Sequence, residues 1–263
     1  MRRLIPFLAL MLLSAPAWAA MQAKPVEWKV GKDRFSGTLV FDDASASKRP
    51  GLVMVPNWMG VNDSAVEKAK AIAGDHYVVL VADVYGKDAR PKDAGEASAE
   101  VKKVYADGGV QLRARVGEAV EVLKAQAGTA PVDVDRIGAF GFCFGGSAVL
   151  ELARSGADIA GVVSLHGGLE TYLPTEGNHI RASVLVLNGA DDASVSDAHI
   201  AAFEKEMDAA RADWQFVDFS GAVHCFTQPE SNDPPNCVYN ERASKRALGM
   251  LQDFFRERFA ATQ

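Results

Sequence analysis

Five short runs rich in Val, Leu and Ile, at residues 51–55, 77–82, 136–140, 159–165 and 183–187, are each bounded by Gly, Pro, Asn or Asp. Continuous apolar runs of this length suit strands buried on both faces of a parallel sheet. Between them lie stretches with helical spacing, at residues 65–73, 112–127, 146–154, 197–210 and 241–259. Strand and helix therefore alternate along most of the chain, which is the pattern of an α/β fold with a mostly parallel central sheet and helices on both faces. An amino-terminal pair, 26–30 and 34–41, alternates apolar and polar residues and predicts an antiparallel hairpin on the sheet edge. Residues 85–102, polar and rich in Lys, Asp, Ala and Gly, read as a long loop running into a helix at the border of a pocket. No stretch has the composition of a linker, so residues 21–263 are expected to form one domain.

Residues 1–20 are a separate matter. Arg2 and Arg3 precede an apolar run over residues 4–13, and Ala17-Trp18-Ala19 follows, which is the order of a secretory signal peptide. The run is too short to span a bilayer. The expectation is cleavage after Ala19 or Ala20 and an exported protein, secreted or periplasmic. Losing Arg2 and Arg3 moves the formal net charge from −6 to −8. An acidic chain with no basic run argues against nucleic acid or an anionic membrane as partner, so the expected partner is a small molecule. A monomer or small homo-oligomer is the expected state.

The cysteines are Cys143, Cys225 and Cys237. In an oxidising compartment Cys225 and Cys237, with eleven residues between them in a Pro/Asn/Asp-rich loop, are a candidate disulfide, which leaves Cys143 over. The spacings contain no Cys-x-x-Cys or His-x-x-x-His pair, so neither a metal nor another cofactor is expected.

Cys143 sits in Gly141-Phe142-Cys143-Phe144-Gly145, between the strand ending near residue 140 and the helix starting near 146. A sharp strand-to-helix turn forces its central residue into a strained conformation, and glycines two positions to either side let strand and helix approach. Such a turn lifts the thiol to the carboxyl edge of the sheet, where the helix amino end favours an anion. A nucleophile also needs a base and a group to orient it. In hydrolases built on this turn, the acid follows a later strand and the histidine lies in a late loop. Here residues 184–188 lead to Asp191 and Asp192, and residues 214–219 lead to His224. Each residue has a plainer reading: a buried inert thiol, a turn-forming aspartate, a surface histidine. Their joint order at strand ends favours catalysis.

These segments resemble the dienelactone hydrolases, α/β-hydrolase proteins with a Cys-His-Asp triad. The similarity runs from about Gly51 to the last helix and is most specific in the elbow. Further matches are Asn57-Trp58-Met59-Gly60-Val61-Asn62, Ala82-Asp83-Val84-Tyr85, Gly189-Ala190-Asp191-Asp192-Ala193-Ser194-Val195 and His224-Cys225-Phe226. The resemblance implies an α/β-hydrolase fold and a hydrolase of small esters or lactones working through a thioester. It also implies Cys143 as nucleophile, His224 as general base, Asp192 rather than Asp191 as orienting acid, and the backbone N–H groups of Phe144 and Trp58 as oxyanion hole. Asn57 and His166 are pocket candidates, His166 having a hydrogen-bonded structural role as its other reading.

One departure stands out. Dienelactone-cleaving members carry a glutamate at the position of Asn57, and Asn57 cannot act as a base. Cations for a substrate carboxylate have only candidates by location: Arg90, Lys87, Lys102 and Lys103. Two other functions remain open at this point, a non-catalytic small-molecule binding protein on the same scaffold and a redox role for Cys143, for which the motif supplies no resolving cysteine.

Overall fold

The computed structural model describes residues 21–175, 177 and 179–260; the expected signal peptide lies outside the described residues. An eight-stranded sheet is built from β1 (Met21–Val30), β2 (Asp33–Asp42), β3 (Arg49–Val55), β4 (Val78–Val81), β5 (Val132–Phe142), β6 (Gly161–Leu165), β7 (Ser183–Gly189) and β8 (Trp214–Phe219). Their order across the sheet is β1-β2-β4-β3-β5-β6-β7-β8. From β4 to β8 all neighbours are parallel, while β1 and β2 form an antiparallel hairpin and β2 joins β4 antiparallel.

The helices are α1 (Asp63–Ala73), α2 (Ala94–Val104), α3 (Val110–Lys124), α4 (Phe144–Arg154), α5 (Asp197–Ala209) and α6 (Glu241–Ala260). They cover both faces of the sheet. Val53 and Val55 of β3 join the cluster that holds Leu112 of α3, Val149 of α4 and Phe203 of α5. Leu52 and Met54, the alternate residues, join the cluster that holds Ala69 of α1 and Leu251 of α6. Burial on both faces is why the central strands are apolar without alternation.

Several boundaries differ from the sequence reading: β1 begins at Met21 and β5 at Val132, ahead of the apolar runs that signalled them. Within residues 85–102 the helix begins at Ala94, because the Asp93 side chain accepts from the Glu96 amide and Glu96 accepts from the amide of Lys92. The helix expected over 112–127 stops at Lys124, and Ala125–Gly128 tightens into a 3-10 turn.

On the face of α3, α4 and α5 lies a buried ionic cluster. Arg154 Nη1 is 3.1 Å from Glu151 Oε1, Arg154 Nη2 is 2.8 Å from Glu206 Oε2, and Arg113 Nε is 2.6 Å from Glu151 Oε2. It ties α4 to α3 through Arg113 and to α5 through Glu206.

Candidate active site

The turn after β5 places Cys143 at the N-cap position of α4 with φ 55° and ψ −121°. That is left-handed territory which a residue with a Cβ enters only under constraint. The two flanking glycines supply it. A Cβ on Gly141 would collide with the carbonyl of Gly145, and one on Gly145 with the carbonyl of Val55 at the end of β3. Strand, turn and helix thus close to backbone contact, and the helix start is pressed against the loop that follows β3.

His224 is held over the thiol by the loops after β7 and β8. Asp191 N–H donates to Ala222 O at 2.9 Å and Ala190 N–H to Phe219 O at 3.1 Å, which registers one loop on the other. Cys225 is disulfide-bonded to Cys237 with their α-carbons 5.0 Å apart, and Val238 N–H donates to the carbonyl of His224 at 3.1 Å. The side chains meet as a result. His224 Nε2 is 3.0 Å from Cys143 Sγ, and His224 Nδ1 donates to Asp192 Oδ2 at 2.7 Å. Asp192 is buried and faces the histidine, whereas Asp191 is exposed. The other carboxylate oxygen of Asp192 accepts from the Ser194 amide at 2.9 Å and hydroxyl at 2.6 Å.

Burial alone pulls the His224 pKa down, but the hydrogen bonds to Asp192 and Cys143 outweigh it and push it up to about 10. Burial raises the Asp192 carboxyl, and its bonds to His224 and Ser194 overcome this and hold it below the usual range. At neutral pH the pair is imidazolium and carboxylate, and the imidazolium proton points at sulfur.

His166 is not a pocket wall, because it is fully buried with both ring nitrogens engaged. Its Nδ1 accepts from the Cys143 amide at 3.1 Å, so Nε2 carries the hydrogen and donates to Thr227 Oγ1 at 2.7 Å. Burial, reinforced by the His224 charge, lowers its pKa to about 3. The two histidines then act on stability in opposite directions. His224 binds its proton more tightly folded than unfolded, so its contribution is complete below about pH 6.5 and is lost as pH rises toward 10. His166 refuses a proton that the unfolded chain accepts, so its contribution is present above about 6.5 and is lost as pH falls toward 3. Denaturant titrations across this acid range are expected to show a fall approaching about 1.4 kcal/mol per pH unit that His166→Asn removes. The same slope in the variant would remove His166 as its source.

Residues 35–259 match the model of the dienelactone hydrolase family. The chain belongs to that family. A dienelactone hydrolase-like promiscuous phosphotriesterase from metagenomic libraries superposes with a TM-score of 0.83 at 35% identity, covering 91% of this chain and 99% of that one. An uncharacterized protein of Caenorhabditis elegans is 36% identical over 57% of this chain and 96% of its own length. A Bradyrhizobium protein named as a probable 2-oxo-3-(5-oxofuran-2-ylidene)propanoate lactonase is 26% identical over 67% of this chain and 73% of its own. The dienelactone hydrolase of Anabaena variabilis, 18% identical with a TM-score of 0.63 over 90% of this chain and 98% of that one, shares the α/β-hydrolase fold. As a dienelactone hydrolase family member the chain is a hydrolase of ester or lactone bonds.

Family features elsewhere in the site are met unevenly. The N–H groups of Phe144 and Trp58 have no partner among the described residues, and the contact of Gly145 with Val55 and Pro56 brings their two segments together. Asn57, at the position of the family glutamate, is committed at both ends: Oδ1 accepts from Met59 N–H at 3.0 Å and Nδ2 donates to Gln228 Oε1 at 2.5 Å. It therefore braces the loop after β3 against the histidine loop. The cations suggested for a carboxylate are engaged or turned to solvent. Arg90 bonds Asp83 at 3.2 Å and the carbonyls of Ser36, Gly86 and Ala89. Lys87 pairs with Glu27 at 2.6 Å, Lys103 with Glu100 at 2.6 Å, and Lys102 is exposed.

Sequence reasoning missed Ser194, Thr227 and Gln228. Ser194 is signalled only by its spacing from Asp192, and the other two by nothing local, since their partners lie on other segments. A cleft of about 380 Å³ lined by Arg49, His76, Tyr77 and Arg256 opens at the far, amino edge of the sheet, remote from all of these residues.

Proposed function

We propose that the chain hydrolyses small esters or lactones with Cys143 as nucleophile and a thioester as intermediate. The observation that carries this is the unbroken line from Cys143 Sγ through His224 to Asp192, with hydrogen-bond distances of 3.0 and 2.7 Å. The thiolate, its proton held on His224 Nε2, adds to the acyl carbon, and the carbonyl oxygen takes the negative charge between the N–H groups of Phe144 and Trp58. As the C–O bond to the leaving group breaks, His224 gives its proton to the departing alkoxide. The acyl group is left on sulfur. His224, now neutral, removes a proton from water, whose oxygen adds to the thioester carbon. Collapse of this second adduct releases the acid and restores thiolate and imidazolium. Asp192 fixes the tautomer and orientation of His224 throughout.

Mass spectrometry of acid-quenched mixtures with p-nitrophenyl acetate is expected to find an acetyl group on the peptide containing Cys143. Continued turnover with Cys143 unacylated, or turnover surviving alkylation of Cys143, would exclude the thioester route. No turnover at all would favour a binding protein.

A further inference from the structure

The exposed large apolar side chains among the described residues are Trp58, Val110 and Tyr172, at 37%, 54% and 69% exposure. They are not scattered. Trp58 lies in the loop after β3, and its carbonyl accepts from the Tyr85 hydroxyl at 3.0 Å. The Tyr85 ring stacks on Phe144, the residue after Cys143, with centroids 5.4 Å apart. Tyr105 meets Phe144 edge-on at 6.1 Å and Tyr172 edge-on at 5.6 Å. Val110 opens α3 directly after Gly108 and Gly109, whose φ values of 76° and 97° form a turn against Tyr172, Leu173 and Tyr105. A line of packed rings therefore runs from Phe144, buried next to Cys143, through the half-buried Tyr105 to Tyr172 in solvent. Burial raises the phenols of Tyr85 and Tyr105 well above their usual value, so the line carries no charge of its own at neutral pH.

Around it the arginines are already matched, and of the lysines named above Lys102 and Lys103 stand exposed, on the solvent side of α2, with Lys103 paired to Glu100. Arg113 pairs with Glu151, Arg154 with Glu151 and Glu206, Arg115 with Asp33, and Arg90 with Asp83. A substrate carboxylate entering here would give up its hydration against guanidinium groups that already have carboxylate partners, and that is costly. Exposed aromatic side chains packed onto rings that reach a reactive group are where a ligand's apolar portion is held.

We propose that the line of Phe144, Tyr105 and Tyr172, with Trp58 in the loop after β3, binds an uncharged aromatic group of the substrate ester, so that the chain prefers neutral aryl or arylacyl esters to carboxylate-bearing lactones. This rests on Cys143 being the acyl acceptor, and it adds a substrate class to that reading.

Two matched pairs test it, each an ester with and without a carboxylate on the ring. In one pair the ring is on the leaving group (phenyl acetate and 3-carboxyphenyl acetate), and in the other on the acyl group (ethyl phenylacetate and its 3-carboxy analogue). The neutral member of at least one pair is expected to have a kcat/KM about a hundredfold higher. Tyr172→Ala is expected to raise KM for that ester about tenfold with little change in kcat. Tyr172 is exposed, so its truncation leaves the core intact. Equal use of both members of both pairs, preference for the carboxylates, or an unmoved KM would overturn the proposal. A change in self-association on Tyr172→Ala with KM unmoved would assign the line of rings to a second copy of the chain instead. Should no ester show Cys143-dependent turnover, the hydrolase reading fails by itself. The line of rings is then judged by quenching of Trp58 fluorescence, with Trp58→Phe as control: stronger quenching by phenol than by benzoate sustains it, and the reverse order refutes it.

Discussion

Cys143→Ala is expected to lower kcat/KM on a small ester by about 10⁴- to 10⁶-fold, and His224→Ala by nearly as much, with the double variant no worse than either alone. The reason lies in how the pair shares one proton. His224 Nε2 is 3.0 Å from sulfur, and its pKa of about 10 keeps the proton on nitrogen at neutral pH. Remove the imidazole and the sulfur loses its proton acceptor; remove the sulfur and the imidazole has no nucleophile to serve. Either loss disables the same step, so the effects cannot add. Asp192→Asn keeps the shape of the side chain but reverses the hydrogen-bond demand on Nδ1, and a loss of about 10⁴-fold in kcat is expected from the wrong tautomer. Steady-state kinetics of the three single variants and the double variant would decide the matter. Additive losses would show that Cys143 and His224 act in separate steps.

The second large effect concerns stability. Glu151→Ala is expected to cost about 3–5 kcal/mol, because it leaves buried guanidinium groups without their carboxylate. Both Glu151 oxygens are used, one by Arg113 at 2.6 Å and one by Arg154 at 3.1 Å, and the side chains of Glu151 and Arg154 are almost wholly buried. Arg154 would keep Glu206 and the carbonyl of Leu169, whereas the Nη2 of Arg113, buried and unpartnered, would lose the charge that compensates it. Urea unfolding at unchanged m would report the difference. A loss below about 1 kcal/mol would mean that α3, α4 and α5 repack around the gap. Glu151→Gln should fall between, since it keeps an acceptor and removes the charge.

The architecture was readable from the chain because a strand buried on both faces is apolar almost throughout, as residues 51–55 and 184–187 are. The elbow was readable because only glycine fits at 141 and 145. Adjacent aspartates were a harder case. The choice between Asp191 and Asp192 depends on how the loop after β7 is registered by hydrogen bonds to residues 219 and 222, and spacing alone does not carry that register. His166 was undecidable for a related reason: its partners are the Cys143 amide and Thr227, 61 residues away. Arg90 could be offered as a substrate cation only because its tie to Asp83 and to the Ser36 carbonyl spans three segments. The start of α2 was hidden by polar composition, with Asp93 giving the local signal.

The disulfide at Cys225 lies one residue from His224, the proposed base, and the Cys143 thiol lies 3.0 Å from that histidine. The two sulfur chemistries ask opposite things of their surroundings. An oxidant strong enough to keep the brace closed threatens Cys143 with sulfenic acid, and a reductant that protects Cys143 works toward opening the brace that holds His224 in place. On the proposed mechanism activity is therefore expected only within a band of redox conditions, bounded on one side by Cys143 and on the other by the support of His224.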